Sequence, residues 1–236
     1  MIKINSPKSI IANSITSLNI LCGFVSIVFA SQADYKMAVI FIILAAIFDT
    51  LDGLIARLLN TSSRFGVELD SLSDVVSFGA APAFLVYQSY AYQYGIWGIL
   101  LSSSLLIFGA LRLARFNIML EDISIKADFR GLPIPMAAIT VSSFIYSYHH
   151  ESGIVEPFNN FVIPLIALLS LLMVSNVRYN ALPKLHGRKK KILIFFVLVI
   201  TLSLAFITNG EIIFYLLFSI ILFGIVRYIY FLFVAK

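Results

Sequence analysis

Between Val75 and Leu111 the chain runs for 37 residues without one charged side chain. At ~1.5 Å per residue a helix of that length would reach far beyond the ~30 Å of a bilayer's hydrocarbon. The run therefore folds back on itself, most simply at Tyr90-Ala-Tyr92-Gln-Tyr94-Gly95, where the tyrosines and Trp97 suit a membrane interface. Similar apolar segments recur at 14–31, 35–58, 67–90, 96–119, 133–150, 157–176, 190–208 and 211–234. Each is close to the ~20 residues a spanning helix needs. The chain is 60% hydrophobic and 12% charged, with mean hydropathy +0.97. Soluble domains carry about 25% charged residues. The expected fold is all-α: a polytopic membrane helix bundle of about eight transmembrane helices, forming one domain over 1–236. Cys22 is the single cysteine, so an intrachain disulfide is excluded.

The basic residues test this count. With eight spans, 16 of the 17 Lys and Arg fall on one side, and Lys36 alone lies opposite. The positive-inside rule makes that side cytoplasmic and places both termini there. Removing any one span would scatter the bases over both faces. The run Gly187-Arg-Lys-Lys-Lys191 reads as a topology signal and an attraction to anionic membrane lipid.

Against this apolar background, residues 49 to 74 stand out. Asp49 and Asp52 are three apart, and Asp70 and Asp74 are four apart, on either side of the short polar stretch Asn60-Thr-Ser-Ser-Arg64. Residues at these spacings share a helix face. A chain reversal lets the two pairs meet. Four carboxylates at close range repel unless cations lie between them. Clusters of oxygen ligands suit Mg²⁺ or Mn²⁺, and two divalent ions would balance the four charges. Ionisable groups at membrane depth mark functional cavities. Gly53 and Ala56 continue the Asp49 stripe, and Gly66 opens the stripe of Asp70 and Asp74. Small residues here either pack helices or leave room for a ligand.

The full pattern, D-x-x-D-G-x-x-A-R-(x)8-G-x3-D-x3-D, resembles the signature of the CDP-alcohol phosphotransferases. Its eight fixed positions are Asp49, Asp52, Gly53, Ala56, Arg57, Gly66, Asp70 and Asp74. With each residue type at roughly one position in fifteen, chance agreement at a given start is on the order of 10⁻⁹. The resemblance implies transfer of a phosphatidyl group from a CDP-linked lipid to an alcohol, with release of CMP. It implies that Asp49, Asp52 and Asp70 hold one divalent ion and Asp49, Asp70 and Asp74 a second. Asp74 would also be the general base. Gly53, Ala56 and Gly66 would admit the nucleotide, Arg57 would help hold the CDP-lipid, and Ser63 aligns with a position that contacts it.

Near the start of the first span, Asn13, Thr16 and Asn19 lie on one face. Family members carry a similar Asn-x-x-Thr element at the nucleotide, which adds Asn13 and Thr16 to the CDP-lipid set. After the fourth span, Arg112-Leu-Ala-Arg115-Phe-Asn117 is followed by Arg130 and Gly131-Leu-Pro133-Ile-Pro135. Arginines either anchor the cytoplasmic face or recognise carboxylate and phosphate. The pairing looks like the serine-using branch, the phosphatidylserine synthases, and makes Arg112, Arg115 and Arg130 candidates for binding serine.

The resemblance places the catalytic core at about 13–135, with additional helices over 157–234. It further implies a homodimer; the basic residues place the motif at the cytoplasmic ends of the second and third spans, so the active site is expected to face the cytoplasm, and no nucleic-acid partner is expected. Diacylglycerol and archaeol backbones both remain open. Two alternatives stand beside serine transfer: another acceptor alcohol, such as glycerol 3-phosphate or inositol phosphate, and, remotely, a divalent-cation transporter.

Overall fold

The computed structural model describes residues 7–59, 63–121, 131–151, 153–177, 179 and 211–234. The segment expected at 190–208 and the basic run at 187–191 lie outside these. Among the described residues, the protein is a bundle of helices with one two-stranded hairpin. Helix α1 spans Pro7–Ser31 and α2 spans Tyr35–Leu59. The reversal between them is tight. Ala33 adopts φ +61° there, and Asp34 Oδ1 caps α2 by accepting from the Met37 N–H at 3.1 Å. The two helices therefore run antiparallel, in extensive contact along their length.

The next helical column is continuous from Arg64 to Ser89 but not uniform. It comprises α3 (Arg64–Asp74), a π-helical stretch (Val75–Ala80) and α4 (Ala81–Ser89). A widened turn precedes Pro82, with the Ala81 N–H reaching back five residues to Val76 O. A proline cannot donate to the carbonyl four residues back, and its ring crowds that carbonyl. One extra residue in the turn relieves both problems.

At the expected return point, Tyr90 ends α4, a 3₁₀ turn covers Ala91–Tyr94, and Gly95 takes φ +53°. Then come α5 (Ile96–Glu121), α6 (Ile134–Tyr148), strands β1 (His149–His150) and β2 (Gly153–Ile154), α7 (Asn159–Val174) and α8 (Glu211–Val234). Five helical columns are long and apolar enough to cross a membrane: Ser9–Ser31, Tyr35–Leu59, Arg64–Ser89, Ile96–Ile118 and Glu211–Val234. Helices α6 and α7 are apolar but shorter.

Helix α6 is the hub, buried on nearly every side. Phe144 and Ile145 of α6 pack in one core with Ile42 of α2, Phe78 of the π stretch, Leu85 of α4 and Leu169 of α7. Helix α8 joins α6 through Phe214 against Phe144 and through the Tyr148 hydroxyl, which donates to that of Tyr215 at 2.6 Å. The junction before α6 is strapped to the end of α7. The Gly131 and Leu132 N–H groups donate to Val177 O and Leu172 O, each at 2.9 Å. Gly131 has φ +84°, and a Cβ there would strike the Met173 carbonyl.

Candidate functional site

The reversal between α2 and α3 brings the aspartates together at one end of the bundle. One oxygen each from Asp49, Asp70 and Asp74 lies within 4.8 Å of the others. Asp49 and Asp74 approach to hydrogen-bonding contact. Asp52 is not a member of this trio. It sits one turn nearer the mouth, buried and within hydrogen-bonding reach of Thr16. The sequence grouped all four; the structure gathers three and sets the fourth beside them.

This donor set fits divalent cations. Asp74 and Asp52 are only 9% and 5% exposed. Among the described residues, Asp74 Oδ1 and Asp52 Oδ2 find no hydrogen-bond partner. Buried carboxylate oxygens are ordinarily paired or coordinate a metal. Among the described residues, Arg112 of α5 interacts electrostatically with Asp74. One guanidinium does not balance the cluster, whereas hard, oxygen-seeking cations would.

Beside the aspartates opens a cavity of about 300 Å³. Every residue expected on the CDP-lipid side lines it: Asn13, Thr16, Gly53, Ala56, Arg57, Ser63 and Gly66, together with Asp52 and Asp70. Three helices contribute, and each is fixed by its own local chemistry. Ser63 caps α3, its Oγ accepting from the Gly66 N–H at 3.0 Å. Gly66 keeps the capping serine and Asn13 close, since a Cβ on it would lie 3.3 Å from Ser63 Oγ and 3.6 Å from Asn13 Oδ1. Arg57 folds back along α2, its Nε donating to Gly53 O at 2.8 Å. Gly53 differs from the other described glycines that lie within helices. A Cβ there would meet no atom within 4 Å. Packing of the described residues therefore does not explain its small size, whereas Gly23 is pressed against Ser77.

The three arginines assigned to serine fare differently. Arg112 is half-buried beside Asp74. Arg115 donates to the carbonyls of Val174, at 3.2 Å, and Ser175, at 3.4 Å, at the end of α7. Cationic donors favour that end of a helix. Arg115 thus meets the strap of Gly131 and Leu132, so the two stretches that carried the branch resemblance form one junction. Arg130 lies outside the described residues.

Sequence reasoning missed the serines that stitch α3 to α1. Ser73 Oγ donates to Thr16 O at 3.3 Å, and Ser77 Oγ donates to Asn19 O at 2.9 Å. Their spacing of four, on the side of the helix next to Asp74, was the available signal. It also missed the Asn117 side chain donating to Ser71 Oγ at 3.0 Å, which ties α5 to α3.

Comparison with known proteins agrees with this geometry. Residues 9–173 match the CDP-alcohol phosphatidyltransferase family. The match extends past the core read at 13–135 to take in α7. A CDP-diacylglycerol–serine O-phosphatidyltransferase of Helicobacter pylori is 38% identical over 228 residues, covering 95% of this chain and 93% of its own. An enzyme of the same name from Methanocaldococcus jannaschii is 35% identical, covering 93% and 94%. An archaetidylserine synthase of Methanothermobacter thermautotrophicus is 37% identical over 73% of this chain and 69% of its own. An aspartate cluster beside a cavity, on a helical membrane scaffold that matches the family through α7, makes this chain a member of the CDP-alcohol phosphatidyltransferases.

Proposed function

We propose that the protein transfers the phosphatidyl group of CDP-diacylglycerol to the hydroxyl of L-serine, forming phosphatidylserine and releasing CMP. The observation that carries the reading is the shared site: the cavity lined by Asn13, Thr16, Gly53, Ala56, Arg57, Ser63 and Gly66 borders the Asp49, Asp70 and Asp74 cluster. The serine-specific names of relatives aligned over more than nine-tenths of the chain support the acceptor. They also favour a diacylglycerol backbone, with CDP-archaeol as the variant suggested by the archaetidylserine synthase.

In this mechanism the cytidine end enters the cavity between α1, α2 and α3. Gly53 and Ala56 let it approach the α2 backbone, and Arg57 and the capped start of α3 hold the phosphate end. Asp49, Asp52, Asp70 and Asp74 would hold two divalent ions, Mg²⁺ or Mn²⁺. Bound there, the ions supply positive charge to the diphosphate and the departing CMP. Arg112 faces Asp74 from α5 and suits the carboxylate of serine. Asp74 accepts the proton of the serine hydroxyl. The serine oxygen forms its bond to the lipid phosphorus as the bond to the CMP oxygen breaks. Arg115 supports this wall from the end of α7, and Arg130 is a further serine-binding candidate by resemblance. The site faces the cytoplasm, as the basic residues indicate, and the enzyme works as a homodimer in the membrane.

The test is an acceptor screen with purified protein, CDP-diacylglycerol and Mg²⁺ or Mn²⁺, reading CMP release. L-serine should be used in preference to glycerol 3-phosphate and inositol phosphate. Release with a phosphorylated acceptor but not with serine would move the protein to another branch. Divalent-cation flux in liposomes free of CDP-lipid, without CMP chemistry, would favour a transporter.

A further inference from the structure

Asn19 of α1 is completely buried, and among the described residues neither its Nδ2 nor its Oδ1 has a hydrogen-bond partner. A carboxamide left wholly unpaired is rare in a folded protein and calls for a reason. Its position supplies one. Thr16, Asn19 and Gly23 follow at three and four along α1, so they share a face. That face lies on α3 and the π stretch: Ser73 donates to Thr16 O, Ser77 donates to Asn19 O, and Gly23 abuts Ser77. Asp74 falls between those two serines in sequence. Across the other interface Thr16 reaches Asp52. Because α1 and α2 are antiparallel, one turn deeper on each moves from Thr16 to Asn19 and from Asp52 to Asp49. Asn19 is therefore level with Asp49 and Asp74, one turn deeper than the cavity residue Thr16.

We propose that Asn19 is a positioning residue for the aspartate cluster, its Nδ2 donating to carboxylate oxygens of Asp49 or Asp74 in the cation-loaded protein. The carboxylates are thereby oriented from the α1 side. Groups of this kind set metal affinity without touching the ion. The inference rests on the two-ion reading given above.

Mn²⁺ binding to the purified protein, followed by electron paramagnetic resonance without substrates, tests it. Asn19→Leu keeps the branched outline with bulkier methyl groups and removes the amide. Mn²⁺ should bind about 10- to 100-fold more weakly, while the cation-free variant melts at or above the wild-type temperature, because an unpaired amide has gone. Asn19→Ser and Asn19→Ala form a second pair that shares the packing loss and differs by one donor. The serine variant should bind Mn²⁺ more tightly than the alanine variant. Wild-type affinity in Asn19→Leu, or equal affinities in the Ser and Ala pair, overturns the role of Asn19 alone. Failure of the wild-type protein to bind Mn²⁺, or binding unchanged by Asp70→Asn, overturns the two-ion reading and this inference with it.

Discussion

Gly53→Ala should make the protein more stable and a poorer enzyme. A glycine inside a helix costs roughly 0.5–1 kcal/mol relative to alanine, because the unfolded chain loses more freedom. Collecting that gain requires room for the methyl group. Residue 53 is in the body of α2, and a Cβ there would meet no atom within 4 Å. With about 2–4 °C per kcal/mol for a chain of this size, the melting temperature should rise by about 1–4 °C. The same methyl projects into the cavity of about 300 Å³ beside Asp52. If the nucleotide lies against the bare backbone, an inserted methyl costs about 1–3 kcal/mol of binding. That corresponds to a loss of roughly 5- to 150-fold in kcat/KM for CDP-lipid. Serine KM should move little, since Arg112 of α5 does not line that cavity. The assay pairs a detergent thermal melt with CMP release at varied CDP-diacylglycerol. A lower melting temperature would mean that the space is filled by the fold. A higher one with unchanged kcat/KM would mean that the open space at residue 53 is not used by the nucleotide.

Asp74→Asn should nearly abolish CMP release while leaving the thermal melt at or above wild type, because it removes a buried charge; full activity would exclude Asp74 as the base. Arg112→Ala should raise serine KM more than CDP-lipid KM, and an unchanged serine KM would reduce Arg112 to a counter-charge for Asp74. Arg115→Ala should act first on stability, by about 1–3 kcal/mol for loss of a charged donor to the α7 carbonyls; a purely kinetic effect with an unchanged melt would contradict that placement. Ser63→Ala should cost about 1 kcal/mol through loss of the α3 cap, and an unshifted melt would show that the cap is dispensable.

Much of the site was legible because its spacings coincide with the helical repeat. Asp49 with Asp52, and Asp70 with Asp74, lie on common helix faces whatever surrounds them. The seven residues assigned to the CDP-lipid side by motif resemblance line one cavity. The reasons for individual residues were less legible. Gly53, Gly66 and Gly23 are the same letter, yet one faces open space, one crowds a capping serine and one packs on Ser77. Arg112 and Arg115 belong to one short motif, three residues apart. One faces Asp74 and the other holds the end of α7, because α5 is flanked by both α7 and the column that contains α3.

The sequence by itself determined a helical membrane protein with carboxylates on two neighbouring helices, since hydropathy and helical period are local properties. Only the tertiary structure decided which three aspartates meet, that Asp52 stands apart with Thr16, and that the Asn19 amide is fully buried with no hydrogen-bond partner among the described residues. Those outcomes depend on how far one helix slides and turns against the next. That offset is set by contacts distant in sequence, such as Ser73 and Ser77 on the α1 backbone, and no local pattern encodes it.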